Sequence, residues 1–332
     1  MNWLSVMVLL LSFHCRLAFA AAPVAELIDL NRIWDRAPHN AFTDLIHWNG
    51  RFVCAFREGR GHVSSDGKIR VLTSTDGKNW QPAALVALAD YDLRDAGLSV
   101  APDGRLMLIG GAAPRRNDHE TAPTGTFVSF SNDAVTWAQP ELVVEPGRWL
   151  WRVAWHDGKA YGVSYAAGTP DRFTALLVSG DGLKYRKLVP KLLDDGYPTE
   201  AVLRIDDDEM IYCLQRRDGM PPENTAMLGA SRPPYTDWQW HDLSIFFGGP
   251  NFIKIPSGQW IAAGRIIRDD GPKTELAWLD VERKTLKPIL QLPSGGDTSY
   301  PGLVWHDGIL WVSYYSSHEG KANVYMAKVS VE

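Results

Sequence analysis

Glu200 and Tyr300 are residue types that suit one kind of chemistry together. A carboxylate within reach of a phenol can take its proton, and so make a nucleophile of a group whose pKa is normally about 10. Arg57, Arg216 and Arg265 form a second set. Guanidinium groups bind carboxylate bidentately, and three of them converging on one place would repel one another without an anion. The plainer alternatives are a core-lining tyrosine, a Glu200 that merely pairs with Arg216, and three separate structural ion pairs.

A repeat relates these residues. An apolar run, a short polar turn and a second apolar run recur six times, as in LIHWNGRFVCAF, RVAWHDGKAYGVSY and GLVWHDGILWVSYY. The turn marks are Asn49, Asp103, Asp157, Asp207, Ser257 and Asp307, at intervals of 54, 54, 50, 50 and 50 residues. Such turns between β-rich runs read as hairpins. A fixed period near 50 built of strands signals a radial repeat, and six copies predict an all-β, six-bladed β-propeller. Seven residues before each mark the chain enters a first strand, at Phe42, Ala96, Leu150, Glu200, Pro250 and Tyr300. Eight or nine residues after it the second strand ends, near Arg57, Gly111, Tyr165, Arg216, Arg265 and Tyr315. One rim of the propeller therefore collects Glu200, Tyr300 and the three arginines.

The elements that must hold this rim are legible in outline. Ser74 to Trp80 (STDGKNW) reads as a turn between third and fourth strands, with looser copies at Ser131 to Trp137 and Ser179 to Tyr185 and a degenerate one ending at Trp238. In such turns Ser and Asp side chains bond the backbone and the aromatic packs between strands. The sixth repeat runs out of chain after its third strand. The apolar segment Ala25 to Ile33 is expected to supply the missing strand and close the ring, which removes an open sheet edge. One domain is expected over 23–332, with the longest loops at Arg115 to Pro123 and Arg217 to Asn224.

Composition narrows the function classes. Residues 1–20 read as a signal peptide, with an apolar stretch from Leu4 to Phe13 and an A-x-A-like Ala18-Phe19-Ala20, so export to the periplasm or medium is expected. No later run is long enough to span a membrane. A net charge of -5 with mixed signs argues against nucleic acid or an anionic membrane as partner. Cys54 and Cys213 fall in strands of opposed blades and are expected to be buried thiols. No His, Asp, Glu or Cys cluster has metal-ligand spacing: His47, His156 and His306 sit at repeat positions and His62 stands apart. No metal, cofactor or nucleotide loop is expected, and the protein is expected to act as a monomer.

Several stretches resemble the sialidase (neuraminidase) superfamily. YPTEAVLRIDDDEMIYCLQRR resembles the segment in which a glutamate is followed some 15 residues later by a carboxylate-binding arginine, here Glu200 and Arg216. GQWIAAGR supplies Arg265 as the next such arginine, and TSYPGLV resembles the segment of the tyrosine nucleophile, here Tyr300. CAFREGRGHVSSDG resembles a stretch with an arginine followed six residues later by an acid/base aspartate, here Arg60 and Asp66. The Ser/Asp turns resemble the family's Asp-box, or BNR, repeats. The family's [FY]-R-I-P motif is not kept: Phe42-Thr43-Asp44-Leu45 stands there, without the first arginine of the triad. Arg57, Arg36 or Arg94 are the candidates to replace it.

The resemblance implies an exo-α-sialidase-like glycoside hydrolase acting with retention on terminal sialic acid or a related acidic sugar of a glycan. Tyr300 would be the nucleophile, Glu200 its base and Asp66 the acid/base. A neutral nucleophile avoids repulsion by the carboxylate at the anomeric carbon, and sialidases are an exception to the usual carboxylate pair. Arg216, Arg265 and Arg57 would hold that carboxylate. Asp95 would contact a substituent of the sugar, or else cap its loop or pair with Arg94. Two other functions stay open: a propeller glycosidase or lyase for another acidic sugar, and a non-catalytic acidic-glycan-binding propeller.

Overall fold

The computed structural model describes residues 22–115, 124–167 and 170–332. The expected signal segment and most of the Arg115 to Pro123 loop lie outside the described residues. Every sheet among the described residues has four strands, and there are six of them. Five blades are made of consecutive strands. The sixth consists of Thr298–His306, Ile309–Ser316 and Asn323–Val331, completed by the N-terminal strand Ala25–Trp34. That strand runs antiparallel to Asn323–Val331, from Ala25 opposite Val331 to Trp34 opposite Val324. The ring is thus closed as expected, and the edge of Asn323–Val331 is paired rather than open.

The predicted turns fall where the pattern places them. Asn49-Gly50, Asp157-Gly158 and Asp307-Gly308 all take positive φ, as a two-residue hairpin with the twist of its strands requires. In the Asp-boxes the mechanism is local. Ser74 Oγ accepts from Gly77 N at 2.9 Å, Asp76 Oδ1 accepts from Lys78 N and Asn79 N at 2.8 Å, and Trp80 Nε1 donates to Gly77 O at 3.0 Å. The copy at Ser131 repeats these bonds, down to Trp137 Nε1 donating to Ala134 O. Apolar side chains fill the spaces between blades; Trp34, Leu45, Phe52 and Trp311, for example, join the last blade to the first. Cys54 and Cys213 are buried free thiols. Among the described residues no helix is long and apolar enough to cross a membrane.

One feature repeats in all six blades and prepares the site. Each first strand breaks register with its second strand: between Ala41 and Asp44, Arg94 and Gly97, Leu150 and Val153, Pro198 and Ala201, Gly248 and Asn251, and Ser299 and Gly302. A bulge bends a strand and re-aims side chains. Phe42 (φ 62°), Asp95 (φ 53°) and Tyr300 (φ 47°) sit in these bulges in the left-handed region, which residues other than glycine seldom adopt. Six bulges at one level of the ring form a collar at one end of the channel.

Candidate active site

Four of the residues singled out in the sequence meet at this collar. Glu200 comes from the bulge of Pro198–Ile205 and Tyr300 from that of Thr298–His306; both are more than nine-tenths buried. The Tyr300 hydroxyl donates to Glu200 Oε1 in a short contact. Arg216, near the end of Ile211–Arg217, donates through Nη1 to Glu200 Oε2 at 2.7 Å and to the Tyr300 oxygen at 3.3 Å. Gly249 N adds a bond to Glu200 Oε2 at 3.0 Å. The Tyr300 ring is held edge-on by Phe42 at 5.1 Å and Trp151 at 5.9 Å between centroids.

The protonation states follow from these contacts. Burial pushes Glu200 up, but Arg216 beside it and the Tyr300 hydroxyl outweigh that and hold its carboxyl below the usual range. Burial, and next the Glu200 charge, push the Tyr300 phenol well above its ordinary value, while Arg216 pulls it down. The resting pair is therefore an ionised glutamate accepting from a neutral phenol. As negative charge develops on the phenol oxygen, the proton can pass to Glu200 and Arg216 can stabilise what remains.

Arg216 and Arg265 are arranged to bind an anion. Arg216 Nε is taken by Asp218 at 2.8 Å, and Arg265 uses Nε on Thr298 O at 2.9 Å and Nη2 on the Tyr315 hydroxyl at 3.2 Å. Among the described residues no acceptor takes Arg216 Nη2 or Arg265 Nη1. Arg265 lies 5.6 Å from the Tyr300 ring centroid. Two guanidinium groups with unspent donors beside a phenol would grip a carboxylate.

The third arginine requires correction. Arg57 was expected on this rim as a substrate ligand, yet its side chain is wholly buried and spent on the protein. Its Nε donates to Asp92 Oδ1 at 2.8 Å, Nη1 to Gly61 O at 2.7 Å, and Nη2 to Ser64 Oγ at 2.7 Å and to Ser64 O. Arg57 is the clamp of the loop that follows its strand. The neighbouring glycines make room for it: a Cβ at Gly59 would meet the guanidinium at 2.7 Å, and one at Gly67 would meet Asp92 Oδ1 at 1.8 Å. Neither alternative replaces it. Arg94 binds the same Asp92, at 2.6 Å, and Arg36 stacks over Trp34 at 4.4 Å.

The clamped loop carries Asp66 and Arg60. Arg60 is largely exposed and pairs with Asp66 at 3.4 Å. Slight burial raises Asp66, but the Ser64 hydroxyl and the backbone and charge of Arg60 bring it below the ordinary carboxyl value. Asp95 differs in every respect. It is 8% exposed, no donor among the described residues reaches its carboxylate, and Arg94 turns to Asp92 instead. Burial first, then the Glu200 charge, push its pKa up to about 7 against the pull of Arg94, His62 and Arg57.

A further cluster escaped the sequence analysis. Asp297 Oδ2 lies 2.7 Å from His62 Nδ1 and 2.8 Å from His39 Nε2, while its Oδ1 accepts from the Tyr315 hydroxyl at 2.9 Å. Nothing in the spacing of residues 39, 62 and 297 announces this meeting. A cavity of about 580 Å³ at the other end of the channel is lined by Asp44, Arg152, Arg204 and Trp305. Tyr300, Glu200, Arg216 and Arg265 do not line it.

No family model matches the chain, and no curated protein matches it by sequence. Solved structures do match in fold. A protein of unknown function from Dyadobacter fermentans superposes with a TM-score of 0.80 at 18% identity, covering 93% of this chain and 99% of that one. Trypanosoma rangeli sialidase in complex with sialic acid gives 0.71 at 13% identity over 93% of this chain and 59% of that one. A Hadza microbial sialidase gives 0.66 at 15%, over 89% of this chain and 66% of that one. The chain spans about three fifths of the trypanosomal enzyme. The fold is that of a sialidase-like six-bladed β-propeller.

Proposed function

We propose that the protein is a retaining glycoside hydrolase that removes a terminal acidic sugar, sialic acid or a close relative, from glycans. The observation that carries this is the buried Tyr300–Glu200–Arg216 cluster with unspent donors of Arg216 and Arg265 beside it. Tyr300 attacks the anomeric carbon as the bond to the leaving oxygen breaks, its proton passes to Glu200, and a covalent glycosyl-enzyme forms. Water then attacks that intermediate, and the proton returns. The two arginines hold the sugar carboxylate. The binding of sialic acid by the trypanosomal sialidase of the same fold supports this choice of substrate.

Proton transfer to the leaving oxygen goes to Asp66 by its place in the loop after the first hairpin. A second reading gives this role to Asp95, which sits in the bulge of its strand as Glu200 and Tyr300 do in theirs, buried and with no donor on its carboxylate among the described residues. A group that must give a proton and then take one works best with a pKa near the working pH. Asp95, at about 7, meets that condition, and Asp66 does not.

Release of free sugar from a fluorogenic sialoside tests the function. Tyr300→Phe should abolish turnover and leave the melting temperature within a few degrees, since only a hydroxyl is lost. Full activity in that variant would end the mechanism.

A further inference from the structure

Three potential ligand atoms converge beside Phe42, whose ring packs on Tyr300. His39 Nε2, His62 Nδ1 and an oxygen of Asp297 all lie within 4.8 Å of one another. We propose that these three residues bind one divalent first-row transition ion, with Zn²⁺ as the probe.

The chemistry of the set is the first argument. Two imidazoles and one carboxylate are donors that zinc and its neighbours accept, and three of them on one side of an ion leave positions open. Geometry is the second. Tetrahedral ligands at roughly 2.0–2.2 Å from zinc stand about 3.4 Å apart. The two nitrogens are 2.8 and 2.7 Å from Asp297 Oδ2, so the donors must open by roughly 0.6 Å to admit the ion. His39 Nδ1 is buried without a partner whether Nε2 faces a carboxylate or an ion.

The supports of the three ligands are the third argument. Sites that hold metals orient their ligands through outer bonds. Asp297 has its second oxygen on the Tyr315 hydroxyl, its N on Ser317 Oγ at 2.8 Å and its O on Ser317 N at 2.9 Å. His39 opens the strand His39–Trp48, opposite Gly59. His62 rides on the loop that Arg57 clamps at Gly61 and Ser64. Its ring is edge-on to Phe42 at 5.1 Å, and Phe42 is edge-on to Tyr300. About half of the His62 side chain is exposed, so the open side of the ion would face solvent.

The location suggests a role. Thr43 stands where the resemblance places the first arginine, and Arg57, Arg94 and Arg36 are committed elsewhere. An ion on His39, His62 and Asp297 would restore a positive pole near Arg265, whose Nη2 is 3.9 Å from Asp297 Oδ1. Only this role rests on the hydrolase reading; the site itself does not.

The test is Zn²⁺ uptake by untagged, chelator-stripped protein, measured by equilibrium dialysis without any substrate. One ion per chain is expected for the wild type. His62→Ala, on an exposed loop, and His39→Gln should each weaken uptake at least about tenfold, with the fold checked by melting. His306→Ala, from the stacked His47–His306 pair on the turn face, should bind like the wild type. Absence of saturable uptake in the wild type overturns the proposal. So does uptake unaltered in either His62→Ala or His39→Gln. Because no step uses activity, loss of the hydrolase reading would leave the result standing.

Discussion

Asp95→Asn should make the protein more stable at pH 8 and leave it nearly unchanged at pH 4. The carboxyl ionises near its ordinary 3.8 in the unfolded chain and at about 7 in the folded one. Between those values the folded state holds more protons than the unfolded state. Stability therefore falls as pH rises from about 4 to 7, and stays reduced above that. Three units at 1.36 kcal/mol each give a penalty of at most about 4 kcal/mol. Asparagine keeps the shape of the neutral acid and removes the penalty. It also tolerates the left-handed backbone at this position (φ 53°), so no new strain enters. The assay is the melting temperature of both proteins at about pH 4 and about pH 8, on either side of the window, in chelator-treated buffer. At about 2 °C per kcal/mol for a chain of this size, the variant should gain several degrees at pH 8 only. An offset independent of pH, or a variant less stable at pH 8, would refute the account of Asp95. If Asp95 also carries the catalytic proton, the variant loses the limb of the pH–rate profile near 7, whereas Asp66→Asn keeps it.

Two more outcomes test the frame that holds the site. Arg57→Met leaves Asp92 buried with one guanidinium fewer and frees the loop at Gly61 and Ser64. Removing one partner of a buried pair costs about 3–5 kcal/mol, to be read from urea unfolding, and cleavage by a protease within residues 60–66 should accelerate; a variant as stable as the wild type would return Arg57 to the substrate. Deleting residues 23–34 strips the last blade of its edge strand and should give insoluble chain; a soluble truncation that melts cooperatively would refute ring closure by that strand.

The fold was legible because its signals are local and repeated. Turns such as Asp307-Gly308 need particular backbone angles, and alternating strands flank them, so each copy checks the others. The same period placed Glu200 and Tyr300 at one phase, which the structure brings into contact. It misjudged Arg57 because phase gives height on the ring and says nothing of which side of a strand a side chain leaves. Arg57 points into the space between blades toward Asp92, while Arg216 and Arg265 reach the channel. The bulges explain why Asp95 was harder to weigh. They shift the pattern by a residue, so Ala96 holds the nominal position while Asp95 carries the unpartnered carboxylate. His39, His62 and Asp297 could not be found by spacing, since they join two ends of a strand-and-loop unit in blade 1 to a loop that enters blade 6.

Phe42 shapes the blade 1 side of the collar. Phe42 occupies the bulge with its ring against Tyr300, Tyr315 and His62. An apolar ring there desolvates the phenol, which makes Tyr300 harder to ionise. The charge that offsets this comes from Arg216, which touches both Tyr300 and Glu200. The two imidazoles held by Asp297 pack against the same ring. The burial of Arg57 follows from the same arrangement: a loop that presents His62 to Asp297 has to be fixed at its base, and Arg57 fixes it at Gly61 and Ser64. A buried clamp, a loop histidine and an aspartate that enters the last blade thus meet beside the collar.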